Sequence, residues 1–237
     1  MSVGGIPYRT ALRLKRAAGV VFAELKYRRI LGKYRRFTMI RGPVYIDNLR
    51  LAAWVLTTPG CIVECGTWRG GMIAGIADLL GSGRSYYLYD SFQGLPPATE
   101  IDGELARRWQ ADTASPTYYN NCAASEEEAR TAMSRSAAKT YRIVKGWFEE
   151  TLPKERPSEP IALLRMDADW YESTKCILDN LIPRMAPGGM VIVDDYYAWE
   201  GCTAAVNEFV AARKWQIRQS KRGVCFMVAP DDWPAAG

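Results

Sequence analysis

From Cys61 to Arg213, short apolar runs and helix-periodic runs take turns, and this alternation restricts the fold more than any other feature of the chain. "CIVECG" (61–66), "SYYLYD" (85–90), "YRIVKG" (141–146), "IALLRMD" (161–167) and "GGMVIVDD" (188–195) read as buried strands. "GGMIAGIADLLG" (70–81), residues 125–139, "STKCILDNLIPRM" (173–185) and residues 201–213 read as helices between or after them. A further helical pattern, "IDNLRLAAWVL" (46–56), precedes the first strand. "KWQIRQS" (214–220) and "GVCFMVAP" (223–230) predict a closing hairpin through Lys221-Arg222-Gly223. Strands alternating with helices imply right-handed βαβ units, hence an α/β domain with a mainly parallel sheet and helices on both faces. At 237 residues the chain suits one large domain of this kind.

Ligands in such sheets bind beyond the carboxyl ends of the strands. The polar residues there are all carboxylates: Glu64, Asp90, Asp167 and the pair Asp194-Asp195. In "ALLRMDADWYEST" (162–174), Asp169 stands two positions after Asp167, and in extended chain the two project to one side. Like charges so placed raise each other's pKa. One aspartate can cap the helix opened by Ser173 and Thr174, but four converging carboxylates without compensation are costly. A divalent cation removes that cost. With oxygen ligands only, the choice is a hard ion: Mg²⁺ first, then Mn²⁺ or Ca²⁺.

The chain has no histidine, which excludes an imidazole base, Ser-His or Cys-His pairs and His-ligated metal. Six cysteines without a CxxC pair predict reduced, buried thiols rather than a disulfide framework or zinc site. No apolar run is long enough to span a membrane, and the basic N-terminus, its short apolar segment broken by Glu24, is not read as a signal peptide. The expected location is cytoplasmic. Residues 1–41 hold 11 Lys or Arg against Glu24 alone. This arm lacks the Arg and aromatic interleaving of a nucleic-acid binder and is read as a helix packing on the acidic body or on a second subunit.

"VECGTWRGG" (63–71) follows a strand and opens a helix, where glycines let backbone approach a ligand. Its spacing is not GxGxxG, which disfavours a dinucleotide and, with the missing histidine, an NAD-dependent dehydrogenase. Asp90 can accept hydrogen bonds from ribose hydroxyls. Between Ser91 and Ser125 lies a long irregular insert, a lid or binding loop by its length. Its Phe92, Trp109, Tyr118 and Tyr119 suit either a ring-shaped substrate or a core edge.

From Phe37 to Val228 the sequence resembles the macrocin O-methyltransferase (TylF-like) family of metal-dependent, S-adenosylmethionine-using enzymes acting on sugar hydroxyls of natural products. The carriers are "FTMI", "VECGTWRGG", "YLYDSFQGLPP", "VKGWFEETLP", "RMDADWYEST" and "VDDYYAWEGCTAAVNEFV". The resemblance implies a Rossmann-like class I methyltransferase fold with a seven-stranded sheet closed by an antiparallel hairpin. The chain is accordingly read as a basic helical arm, 1–45, which the family pattern does not explain, and a methyltransferase domain, 46–237, with a lid-like insert at about 92–124. It puts metal ligands at Asp167, Asp194 and Asp195 and a general base at Asp169. The cofactor site falls on Thr38, Met39, Glu64, Gly66, Thr67, Gly70, Gly71, Asp90, Ser91, Gly146, Trp147, Phe148 and Asp167. A glycosylated small molecule is the implied acceptor, and a homo-oligomer the implied assembly. A phenolic or catechol acceptor, with Lys175 near the metal, and an inactive binding protein are the alternatives.

Overall fold

The computed structural model describes residues 8–213 and 215–234; residues 1–7 of the expected arm and Lys214 of the expected hairpin lie outside them. The strands are β1 (Cys61–Cys65), β2 (Ser85–Asp90), β3 (Thr140–Lys145), β4 (Ile161–Met166), β5 (Met185–Val193), β6 (Arg218–Gln219) and β7 (Cys225–Val228). They form one sheet in the order β3-β2-β1-β4-β5-β7-β6. Strands β1 to β5 pair in parallel, whereas β7 runs antiparallel to both β5 and β6. The mainly parallel seven-stranded sheet with its closing hairpin is as expected.

Successive residues of the strands bury on opposite faces, as the two-residue repeat of a strand requires. Ile62, Leu88, Leu163, Met190 and Ile192 face one core, shared with α1 (Tyr8–Tyr34), α2 (Gly42–Ala52), α3 (Gly71–Leu80) and α5 (Glu126–Ser134). Val63, Leu164, Val191 and Val193 face the other, shared with α7 (Tyr171–Leu181) and α8 (Glu200–Arg213). Two apolar layers therefore clamp the sheet and hold its carboxyl edge rigid.

Two local expectations change. The helix expected at 46–56 spans Gly42–Ala52, because Pro43 suits a first helical turn, and residues 53–55 tighten into a 3-10 turn. The insert is not irregular throughout: α4 (Gly103–Ala111) lies within it. Only Gly103 and Ala106 of that helix are buried, and at nine residues it is too short to stand out from the polar, proline-containing insert around it.

The C-terminal part of α1 docks on the body through buried Tyr27, Ile30 and Tyr34. Lys33 Nζ and Tyr34 Oη both reach Asp78 Oδ2, at 2.6 and 3.1 Å. This helix leads through a 3-10 turn (Arg35–Phe37) into residues 38–41, beside the carboxyl edge of the sheet.

Candidate active site

The strand order reverses between β1 and β4, so a crevice opens beyond their carboxyl ends. The ladder continues one step past the strands there. Gly66 N–H donates to Tyr89 O, Asp167 N–H to Cys65 O and Asp194 N–H to Met166 O, each at 2.9 Å. Main-chain hydrogen bonds thus set Gly66, Asp167 and Asp194 side by side. Gly66 has φ 81°, and a Cβ on it would lie 1.6 Å from Asp167 O, so only glycine fits. Asp169 adopts a left-handed backbone, φ 56°, and its N–H donates to Asp195 Oδ2 at 3.0 Å. One carboxylate oxygen each from Asp167, Asp194 and Asp195 lies within 4.8 Å of the others.

Arg165, 1% exposed, is the cation beneath this cluster. It is the register partner of Glu64 on the adjacent strand, so both side chains enter the layer under α2. Arg165 Nη1 donates to Glu64 Oε1 at 3.0 Å and to Asp167 Oδ2 at 2.8 Å, and Nε donates to Asn48 Oδ1 at 3.2 Å. Nη2 lies 2.7 Å from Asp194 Oδ1 without hydrogen-bonding geometry, so charge alone holds that contact.

Burial pushes the Glu64 carboxyl up to about 8 and the Asp194 carboxyl up to about 6, against the pull of Arg165. Burial, then the Asp167 charge, raises Asp169 to about 8, and burial with Asp169 lifts Asp195 well above the ordinary range. Burial works against the Arg165 charge too, but Asp194, Asp167 and Glu64 outweigh it and keep the guanidinium protonated. One guanidinium faces the five carboxyls of Glu64, Asp167, Asp169, Asp194 and Asp195, and the upward shifts record that it does not keep them all ionised. Asp194 Oδ1 is buried without a hydrogen bond and meets only the Arg165 charge, which it shares with Glu64 and Asp167. An oxygen-only donor set without imidazole or thiolate fits a hard divalent ion.

A cavity of about 480 Å³ opens over these carboxylates. Of the residues singled out from sequence, Met39, Gly66, Asp90, Ser91, Gly146, Trp147, Phe148, Asp167, Asp169, Asp194 and Asp195 line it together. Thr38, Glu64, Thr67, Gly70 and Gly71 are not among its lining residues. Glu64 is 1% exposed and turned to Arg165. Gly70 and Gly71 serve helix packing: an added Cβ would stand 3.0 Å from Ala129 Cα and 2.4 Å from Phe37 O respectively. Asp90 receives Trp68 N–H and Phe92 N–H, each at 2.7 Å, and so ties the β1–α3 turn to the start of the insert.

Sequence reading missed part of the wall. Trp68, Arg41 and Arg222 line the cavity, Arg222 from the β6–β7 hairpin. It also missed a cluster of three indoles, Trp109, Trp170 and Trp199, with ring centroids 5.2 to 6.4 Å apart. Trp199 Nε1 donates to Asp169 Oδ1 at 2.9 Å. The only signal in the sequence was the tryptophan beside each aspartate motif, Trp170 after Asp169 and Trp199 four residues after Asp195.

The sequence and the fold have counterparts among known proteins. Demethyldecarbamoylnovobiocin O-methyltransferase of Streptomyces niveus is 40% identical over 161 residues, 65% of this chain and 59% of that protein. The 8-demethyl-8-(2,3-dimethoxy-alpha-L-rhamnosyl)-tetracenomycin-C 4'-O-methyltransferase of Streptomyces olivaceus is 33% identical over 181 residues, 73% of this chain and 67% of that protein. The chain thus spans about three fifths to two thirds of the length of these relatives. The solved structure of the O-methyltransferase NovP superposes with a TM-score of 0.68 at 33% identity, covering 82% of each chain. The macrocin O-methyltransferase (TylF) model matches residues 34–220, which take in every strand-end carboxylate of the rim and all but the last strand of the sheet, and the chain belongs to that family.

Proposed function

We propose that this protein is an S-adenosylmethionine-dependent O-methyltransferase that methylates a sugar hydroxyl of a glycosylated natural product, with a Mg²⁺ ion held by Asp167, Asp194 and Asp195. The observation that carries the reading is the meeting of three carboxylate oxygens within 4.8 Å at the floor of a cavity, with Asp169 beside them. The relatives' names support the acceptor class: one methylates a rhamnosyl-bearing tetracenomycin, and another is a mycinamicin III 3''-O-methyltransferase.

An alcohol hydroxyl, taken as water-like with pKa about 15.7, lies about 12 pKa units above an ordinary aspartate and still about 8 above Asp169, which burial raises to about 8. The remaining gap is roughly 10 kcal/mol, too much for a carboxylate alone. Bound S-adenosylmethionine supplies an electrophilic methyl group, and a hard cation acidifies an oxygen it holds. The chain's own residues do the rest. Asp167, Asp194 and Asp195 present the cation's ligand oxygens. Asp169 takes the hydroxyl proton on Oδ2, because Oδ1 already accepts the Trp199 N–H. Gly66, Asp90, Trp147 and Phe148 border the cofactor's share of the cavity.

A phenolic acceptor with Lys175 as its helper is less well supported: Lys175 does not line the cavity and is paired with Asp179 at 3.0 Å. Mass spectrometry of products from a panel of deoxysugar-bearing metabolites tests the acceptor, with a catechol as the comparison. Asp169→Asn should bind S-adenosylhomocysteine as the native protein does and lose at least a hundredfold in turnover. EDTA should abolish turnover and Mg²⁺ restore it, and indifference to the chelator would remove the metal from the reading.

A further inference from the structure

We propose that Trp199 is the positioning residue for Asp169, and that its indole N–H decides which carboxylate oxygen receives the substrate proton. The inference rests on Asp169 being the base. Trp199 Nε1 lies 2.9 Å from Asp169 Oδ1, while Oδ2 has no hydrogen-bond partner among the described residues. A carboxylate rotates about a broad, roughly two-fold torsion, so without a partner its two oxygens exchange freely. One donated hydrogen bond breaks that symmetry. Indole is donor-only: it can neither take the proton that Asp169 gains nor compete for it. A hydroxyl or amide at 199 would lack that one-way character.

The backbone constrains the same carboxylate from the other side. Asp169 sits at φ 56°, a conformation that costs a non-glycine residue free energy unless its surroundings impose it. Its N–H is tied to Asp195 Oδ2 at 3.0 Å, and the next peptide N–H, that of Trp170, to Ala168 O at 2.6 Å. Trp199 stands at the end of a turn from Asp195, its N–H donating to Asp195 O at 3.1 Å. One indole and one aspartate thus reach Asp169 from the same turn.

The Trp199 ring is itself held by two others. Trp170, 2% exposed, meets it edge to face at 5.2 Å, and Trp109 of the insert meets it at 5.9 Å. Trp170 Nε1 donates to Pro96 O at 2.9 Å, and Trp109 Nε1 to Thr117 O at 3.0 Å. The insert therefore supplies one of those two rings, Trp109, and through Pro96 the acceptor that fixes the other.

Two replacements test this. Benzothienylalanine at 199 keeps the ring shape and loses only the N–H; Trp199→Phe loses the N–H and part of the ring. Both should bind S-adenosylhomocysteine and Mn²⁺ within twofold of the native protein by calorimetry. Both should lower kcat on the acceptor found in the product screen by 10- to 100-fold, at unchanged KM for S-adenosylmethionine, since misplacing a reacting group by about 1 Å costs about a hundredfold. The Trp199 indole N–H resonance of the native protein should move in a ¹⁵N-resolved spectrum of the Asp169→Asn variant. Native kcat in the benzothienylalanine protein, with Asp169→Asn inactive, would overturn this inference alone. Native turnover in Asp169→Asn would overturn the base assignment, and this inference with it. Equal weakening of S-adenosylhomocysteine binding and kcat would make Trp199 a packing residue only and also overturn it.

Discussion

Arg165 and Glu64 face each other across adjacent strands as a 3.0 Å ion pair in which each side chain is 1% exposed. The same guanidinium touches Asp167 and Asp194, two of the three carboxylates proposed to hold the metal. A buried ion pair adds little net stability compared with apolar packing, but breaking one strands the survivor. Here the survivors are several. Arg165 therefore sets the charge balance under the site without lining the cavity.

Arg165→Met should accordingly destabilise the metal-free protein by about 3–5 kcal/mol, the cost of leaving a buried charge unpaired. Glu64→Gln in the same chain should restore part of that loss, because the amide carries no charge to strand. Urea unfolding of the native protein, both single variants and the double variant measures the coupling. Strictly additive effects would show that the pair is not energetically linked.

Gly66→Ala should fail for a reason that another glycine does not share. Its new Cβ would meet Asp167 O at 1.6 Å, whereas at Gly81, also at positive φ, 91°, nothing lies within 4 Å. Gly81, with ψ −177°, lies in the extended positive-φ region that favours glycine, and Gly81→Ala should cost about 1–3 kcal/mol from backbone strain alone. Gly66→Ala should cost clearly more, roughly 3 kcal/mol or above, and also weaken Mn²⁺ binding, since the displaced residue is Asp167. Urea titration and Mn²⁺ calorimetry on the two variants compare them directly.

Asp90 gives a pH signature. Burial outweighs the N–H groups of Phe92 and Trp68 and pushes its carboxyl up to about 6, from an ordinary 3.8. A folded-state value above the unfolded one means that folding favours the protonated form. The contribution to stability is complete below about 3.8 and is lost as pH rises through about 6. Its full size is at most about 3 kcal/mol. Asp90→Asn cannot ionise, so the native protein should lose melting temperature between pH 4 and pH 6.5 relative to this variant. Parallel melting curves across that range would contradict the shift.

The parallel strands were readable because a doubly covered sheet demands short apolar runs, and helix periodicity between them leaves few other arrangements. The four aspartates were readable because a strand of known direction delivers its last polar residues to one edge. That much follows from local pattern. The insert helix α4 was not legible, since it is only nine residues long and its Leu105 stays exposed instead of joining the core. Nor was the division of labour among the glycines. Gly66 stands against a strand-end carbonyl while Gly70 and Gly71 make room for Ala129 and Phe37, and only the packed chain separates these uses. The partner of Glu64 was not legible either: the register of β1 on β4 sets it against Arg165.

What the chain alone determined is the order of strands and helices, the chemistry of the rim and the absence of any imidazole, because these depend on residue type and near-neighbour spacing. What tertiary structure decided is which groups meet across long separations: Trp199 on Asp169 over 30 positions, and Arg165 on Glu64 over 101. Such meetings are set by strand register and by how the layers close on one another, and neither is written in any single stretch of sequence.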